Sequence, residues 1–245
     1  MQTAHHSPAA DPVEPEERPL PSLARPSISD EIYHVLKDRI IRNHFKPGER
    51  LNLDEIERQM GISRTPLVHA LTRLSAEGLT EVVPRQGTFV TDPTPEEIAE
   101  AFDVRRVLEV YALELAVPRL TADVEERIRG MVNELGRLYR EEDWIAIYHD
   151  YVSLDEELHR TIVRTSGNRR LCMVWEQVNV HVQMARFRRM KLATVLAVGH
   201  AEHEQMVQAF QQRDVPALQR IMAEHIDNAK RLMLEDLAQR AHPEG

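Results

Sequence analysis

Gly61-Ile62-Ser63-Arg64-Thr65-Pro66-Leu67-Val68-His69-Ala70-Leu71-Thr72-Arg73-Leu74 is the stretch that decides the fold. Ser63 is a helix-capping residue type, because its hydroxyl can accept a free N–H of the first turn. Pro66 is tolerated that early in a helix, where no intrahelical donor is lost. Leu67, Ala70, Leu71 and Leu74 then recur at i, i+3, i+4 and i+7, one apolar stripe. That leaves Arg64, Thr65, Val68, His69 and Thr72 directed away from the stripe. A helix that follows a tight turn and projects polar side chains from its N-terminal end is what a helix-turn-helix sets into the DNA major groove.

The flanks extend the motif. Phe45-Lys46-Pro47-Gly48-Glu49-Arg50-Leu51 reads as a turn leading into a short apolar segment, and Asp54 to Met60 as a short helix with Ile56 and Met60 on one side. Leu79 to Val83 and Thr88 to Val90 are strand-like and are separated by Pro84-Arg85-Gln86-Gly87. That hairpin is a wing with a cationic, glycine-bearing tip, suited to close backbone approach to DNA.

The order of helix, Lys46-Pro47-Gly48-Glu49-Arg50-Leu51, Leu53 to Leu67, His69 to Leu79, and Arg85-Gln86-Gly87-Thr88-Phe89-Val90 resembles the winged-helix domain of GntR-type bacterial transcription regulators. The resemblance implies that Arg64 contacts DNA and that Gln86-Gly87 forms the wing tip. Many such proteins read Val-Arg-Glu-Ala-Leu after the Thr-Pro, whereas this chain reads Leu67-Val68-His69-Ala70-Leu71. Val68 cannot make a bidentate contact to guanine, so the usual operator sequence does not carry over. The expected DNA-contacting set is Arg42, Ser63, Arg64, Thr65, His69, Arg73, Arg85, Gln86 and Gly87.

Charge qualifies this reading. The chain of 245 residues has a formal net charge of −9, which by itself argues against nucleic acid. The distribution matters more. Residues 1–29 carry 2 basic and 4 acidic groups, residues 30–91 carry 9 of each, and residues 92–245 carry 20 and 27. The winged-helix part is therefore neutral and can bind DNA if Arg42, Arg64, Arg73 and Arg85 gather on one face, with modest nonspecific affinity. The single cysteine, Cys172, excludes an intrachain disulfide and fits a reducing cytosol. No run approaches the ~18 apolar residues of a membrane span. The Pro-rich start has no apolar signal core, and residues 1–27 are expected to form a disordered tail.

Asp92-Pro93-Thr94-Pro95 marks a boundary, with residues 92–95 as linker between a winged-helix domain at 28–91 and a helical domain at 96–241. Thr94 and Glu97 form a capping-box pattern with Pro95 at the first helical position. Helices are predicted over Glu96–Val117, ended by Pro118, then Thr121–Glu141, Trp144–Thr165 stopped by Gly167, Asn168–Lys191, Val195–Gln212 and Val215–Arg240, the last capped by Asp214. Six helices with short connections imply an antiparallel bundle. The predicted fold class is mainly α: an N-terminal winged helix-turn-helix followed by an all-α bundle.

Asp155 and His159 lie at i and i+4 of one helix, and His203 and His225 each follow a glutamate on two later helices. Three imidazoles and one carboxylate from three helices suit a first-row metal, although an i,i+4 pair can equally be a plain helix hydrogen bond. Phe102 to Glu109, Asp155-Glu156-Glu157-Leu158-His159 with Ser166-Gly167-Asn168, and the pairs Glu202-His203 and Glu224-His225 resemble the FCD effector domain of FadR-subfamily GntR regulators. The resemblance implies a divalent metal on Asp155, His159, His203 and His225, with zinc foremost and nickel, manganese or iron also compatible. It also implies a small carboxylate effector at the open metal positions. Arg105 can clamp a carboxylate or pair with Glu109 at i+4; Asn179 and Arg186 are candidate pocket-lining groups. His149, His181 and His200 are read as surface or packing residues, and Arg186, Arg188, Arg189 and Lys191 as a solvated helix end.

The expectation is thus a cytoplasmic, homodimeric DNA-binding regulator that is not an enzyme and has no membrane contact. Its partners would be operator DNA and a carboxylate effector. Two competing readings are a metal sensor with the ion as effector and a metal-dependent hydrolase.

Overall fold

A computed structural model describes residues 27–141, 144–187 and 193–241. The tail reading for residues 1–26 and the charge run at Arg188, Arg189 and Lys191 lie outside the described residues. Ser27 is described and is not tail: it caps α1 (Ile28–Ile41) in a capping box with Asp30.

The turn after α1 leads to α2 (Leu53–Met60), α3 (Arg64–Ala76), and the hairpin of β1 (Thr80–Val83) and β2 (Gly87–Val90). Gly61 ends α2 in the left-handed conformation, φ 65°, the sharp reversal that a helix-turn-helix needs. Ser63 occupies the N-cap position of α3, but its side chain makes no capping hydrogen bond. The stripe forms as expected: Leu67, Ala70, Leu71 and Leu74 are buried against Ile32, Leu36 and Ile40 of α1. The strands pair antiparallel from Thr80 with Val90 to Val83 with Gly87. The segment after Gly48 joins them, with Leu51 donating to Thr88 at 2.9 Å and Val90 to Glu49 at 2.9 Å.

The C-terminal bundle comprises α4 (Pro95–Ala116), α5 (Ala122–Tyr139), α6 (Trp144–Thr165), α7 (Arg169–Phe187), α8 (Ala193–Gln212) and α9 (Val215–Ala241). Thr94 and Glu97 make the predicted capping box, and Asp214 accepts from Ala217 at 3.0 Å to cap α9. Helix α4 stops at Ala116, and Val117–Arg119 tighten into a 3₁₀ turn around Pro118. Helix α4 packs against α6, α7 and α9, so it is the central strut of the bundle. The two units are not independent cores. Val180 and Met184 of α7 are buried among the residues of α1 and α3, and the His181 ring abuts Gly78, whose φ of +71° makes it the pivot between α3 and β1.

Candidate metal centre and nucleic-acid interface

Helices α6, α8 and α9 bring Asp155, His159, His203 and His225 together, all buried, with one donor atom from each inside a sphere where no two lie more than 4.8 Å apart. His159 Nε2 and His225 Nε2 are 3.2 Å apart, and His203 Nε2 is 3.4 Å from Asp155 Oδ1. Donors held at about 2.0–2.1 Å around a tetrahedral ion stand roughly 3.3 Å apart, so the spacing fits a single ion.

The surrounding carboxylates fix the ring orientations. His159 Nδ1 is 2.6 Å from Glu109 Oε2, and His225 Nδ1 is 2.8 Å from Glu202 Oε2. A neutral imidazole that donates Nδ1–H to a carboxylate presents only a lone pair at Nε2. With each Nδ1–H given to its carboxylate, two such lone pairs would face each other at 3.2 Å, an arrangement that a cation between them turns from repulsive to favourable. His203 makes the same case differently, since both of its ring nitrogens are buried without a hydrogen-bond partner. Burial, reinforced by the neighbouring His225, pushes His203 well below the usual imidazole range despite Asp155. Burial also lowers His159, although Glu109 opposes it. Both shifts favour the neutral form a metal ligand requires. Asp155 is buried too, which would raise its pKa, but the Arg186 guanidinium holds it well below the carboxylate range.

Glu109 and Glu202 were not singled out as orienting groups from the sequence. The i,i+4 spacing of Arg105 and Glu109 predicts only their mutual ion pair, and that pair does form in the core. Yet Glu109 also accepts from Trp175 Nε1 at 2.7 Å and meets His159. Glu202 precedes His203 in sequence but serves His225, and Asn228 holds its other oxygen at 2.7 Å.

A cavity opens beside this Asp-His cluster, lined by Arg105, Asp155, Arg186 and His225 and by apolar groups including Phe102 and Met233; it encloses about 670 Å³ of atom-free space counted to its open mouth. Arg105 is 2% exposed, and its Nη2 has no partner. Arg186 is ion-paired with Asp155. Asn179 is placed elsewhere: it bonds Glu156 at 3.3 Å and Gln183 at 3.4 Å and is not among the lining residues. His149 packs edge-on to Phe187, and the His200 ring fills the space over Gly136. Neither joins the ligand cluster.

On the other unit, Arg64, Thr65, Val68, His69 and Thr72 are exposed along α3, and Ser63 is exposed just before it. Arg64 is ion-paired with Asp54 and Glu57 of α2. Arg73 pairs with Asp30 and lies 3.9 Å over the Tyr33 ring. Arg85, at φ 65°, and Gln86 are exposed at the wing tip. Gly87 has φ +126°, and a Cβ there would meet the Arg50 guanidinium at 2.8 Å. Arg50, overlooked in the sequence, therefore braces the wing. Arg42 pairs with Asp38 and lies 5.8 Å over Phe187 of α7.

Comparison with known proteins agrees with both halves. Residues 28–90 match the family described as bacterial regulatory proteins, gntR family, and residues 100–228 match the FCD domain. The chain is 28% identical to an HTH-type transcriptional regulator in an unstable DNA locus of Streptomyces ambofaciens, over 86% of each chain. It is 27% identical to the HTH-type transcriptional repressor GlaR of Escherichia coli, over 79% of this chain and 90% of that one. Among solved structures, E. coli McbR/YncC superposes with a TM-score of 0.76 at 21% identity, covering 87% of this chain and 100% of its own. A winged helix fused to a six-helix bundle, matched in sequence along both parts, makes this chain a member of the gntR family of bacterial regulatory proteins with a C-terminal FCD domain, a transcriptional regulator and not an enzyme.

Proposed function

We propose that this protein is a FadR-subfamily regulator, acting in the cytoplasm as a homodimer, whose operator affinity is set by a small carboxylate bound at a divalent metal in the bundle. The observation that carries the reading is the unpartnered Nη2 of buried Arg105 in the wall of the cavity that also exposes Asp155 and His225. A buried guanidinium nitrogen without an acceptor is costly, and an incoming carboxylate supplies that acceptor. Asp155, His159, His203 and His225 would hold the ion, zinc in the first instance with nickel, manganese or iron as alternatives. When bound, the ion supplies a Lewis-acid anchor for an acid group. Glu109 ties the two parts together, because it holds the ligand His159 with one oxygen and Arg105 with the other. Its bond to Arg105 sets the direction in which that side chain offers its free nitrogen.

A panel of mono-, di- and tricarboxylates tests this by thermal shift. A ligand of the folded state raises the melting temperature with concentration. The rise should disappear with chelator, shrink in Arg105→Ala, and accompany a change in DNA affinity, since the two sites are linked reciprocally. If no acid gives a metal-dependent shift while metal alone changes DNA affinity, the ion itself is the effector.

A further inference from the structure

The exposed side of α3 carries an arginine and a valine one helical turn apart, and the arginine is tied to carboxylates of α2. Arg64 Nε pairs with Glu57 and Arg64 Nη2 with Asp54, both across the turn at Gly61. The two pairs differ in setting. Glu57 has 23% of its side-chain surface exposed and Asp54 has 86%. The contact to Asp54 is therefore open to solvent and salt and costs little to release, whereas the contact to Glu57 is shielded.

Glu57 is an ion-pair neighbour of Nε and not a hydrogen-bond acceptor for it, so it draws that end of the guanidinium towards α2 by charge and, once Asp54 is released, leaves the Nη1/Nη2 edge as a two-donor fork. Guanine presents O6 and N7 to the major groove, the acceptor pair that such a fork matches. One turn further along, Val68 is 43% exposed. The hydroxyl of Thr72, the next residue on that line, turns back to the Val68 carbonyl at 2.9 Å. This strip consequently offers methyl groups rather than donors. The base group that accepts apolar contact in the major groove is the thymine methyl. Four residues of helix rise about 6 Å, against about 3.4 Å per base step, so the two contacts fall about two base steps apart.

We infer that Glu57 is a positioning residue for base reading by Arg64, and that Arg64 and Val68 together read a guanine and, about two steps away, a thymine methyl. This rests on α3 being the helix that enters the groove.

The test uses the full chain and a randomised duplex pool at fixed salt. The unaltered protein should enrich duplexes carrying that guanine and thymine. On the enriched duplex, replacing the thymine by deoxyuridine removes only the methyl. It should weaken binding about fourfold, the value of one buried methyl-sized group, and should leave Val68→Ala unaffected. Glu57→Gln removes a negative charge near phosphate, so its affinity for random competitor should hold or rise. Its preference for the guanine duplex over the adenine-substituted one should fall, by up to about a hundredfold if the contact is lost. A purely structural Glu57 would lower the melting temperature and weaken both duplexes equally, which would overturn its positioning role. Indifference of the unaltered protein to deoxyuridine would overturn the Val68 assignment. Enrichment of no sequence at all would overturn the inference together with the groove-entering role of α3.

Discussion

Glu109 is the residue on which the bundle's chemistry turns. It is fully buried and receives His159, Arg105 and Trp175. Burial alone would push its carboxyl pKa up, but the Arg105 guanidinium and the His159 ring hold it well below the usual range. An ionised carboxylate survives in such a place only when its lone pairs are satisfied. Glu109→Gln keeps the shape but turns one acceptor into an amide donor, which must then face a donor from His159, Arg105 or Trp175. Loss of such an orienting partner typically costs 10–100-fold in metal affinity, and that is the decrease expected in competition with a chelator. Unchanged affinity would show that His159 is oriented by packing alone. The clustering of Asp155, His159, His203 and His225 was legible in the sequence because their spacing on helices and a family resemblance name them together. Glu109 and Glu202 were not, because their partners stand 50 and 23 positions away, and no local pattern records which imidazole a distant carboxylate will meet. The charge of Arg42 is likewise visible in the sequence, but its seat over Phe187 depends on how α1 leans on α7.

At the level of the element, α7 links the two halves. Arg186 near its C-terminal end pairs with Asp155 of the Asp-His cluster, while Val180 and Met184 sit in the core of the winged helix. Between them His181 is pressed against Gly78. Periodicity located all six bundle helices, with most ends within two residues, because each carries an apolar stripe and a cap or stop residue. It could not show that one of them also completes the N-terminal core, since an apolar stripe does not name its partner. The packing of His181 makes this junction sensitive to acid. Burial lowers its pKa below that of a free imidazole, and Lys37 adds to that, while Glu77 and Glu97 oppose it. In the unfolded chain the ring regains a proton near 6.5. Above that pH both states are neutral and the ring contributes no pH dependence; as the pH falls below 6.5 the unfolded chain takes up protons first and stability is lost. The His181→Asn variant should therefore lose less melting temperature than the unaltered protein between pH 7 and pH 5, and parallel curves would show that the ring stays solvated and free to ionise.

At the scale of the whole molecule, one feature of the surface is explained by neither the DNA face nor the cavity. Val104 (44%), Val107 (64%) and Tyr111 (48%) stand exposed on α4, and Met173 (56%) and Val174 (43%) on α7. The two helices run side by side, with Ala112, Leu171 and Trp175 buried between them, and Val104, Val107 and Tyr111, at i, i+3 and i+7, form one exposed apolar stripe along α4. A contiguous apolar face on a chain of net charge −9 is a place for association. A second copy suits it, because a two-fold axis sets the same patch against itself. It would also present two α3 helices to successive half-sites about 34–36 Å apart, which a neutral winged helix with few phosphate contacts needs for useful affinity. Val107→Glu buries a charge at the centre of that contact without touching the metal ligands. The expected result is a halved mass in sedimentation, an unchanged metal content, and a loss of affinity for a two-site operator that is not seen with a single half-site. A variant that remains dimeric would place the contact on another surface, and one that becomes monomeric yet binds both duplexes as before would show that each winged helix reads DNA alone.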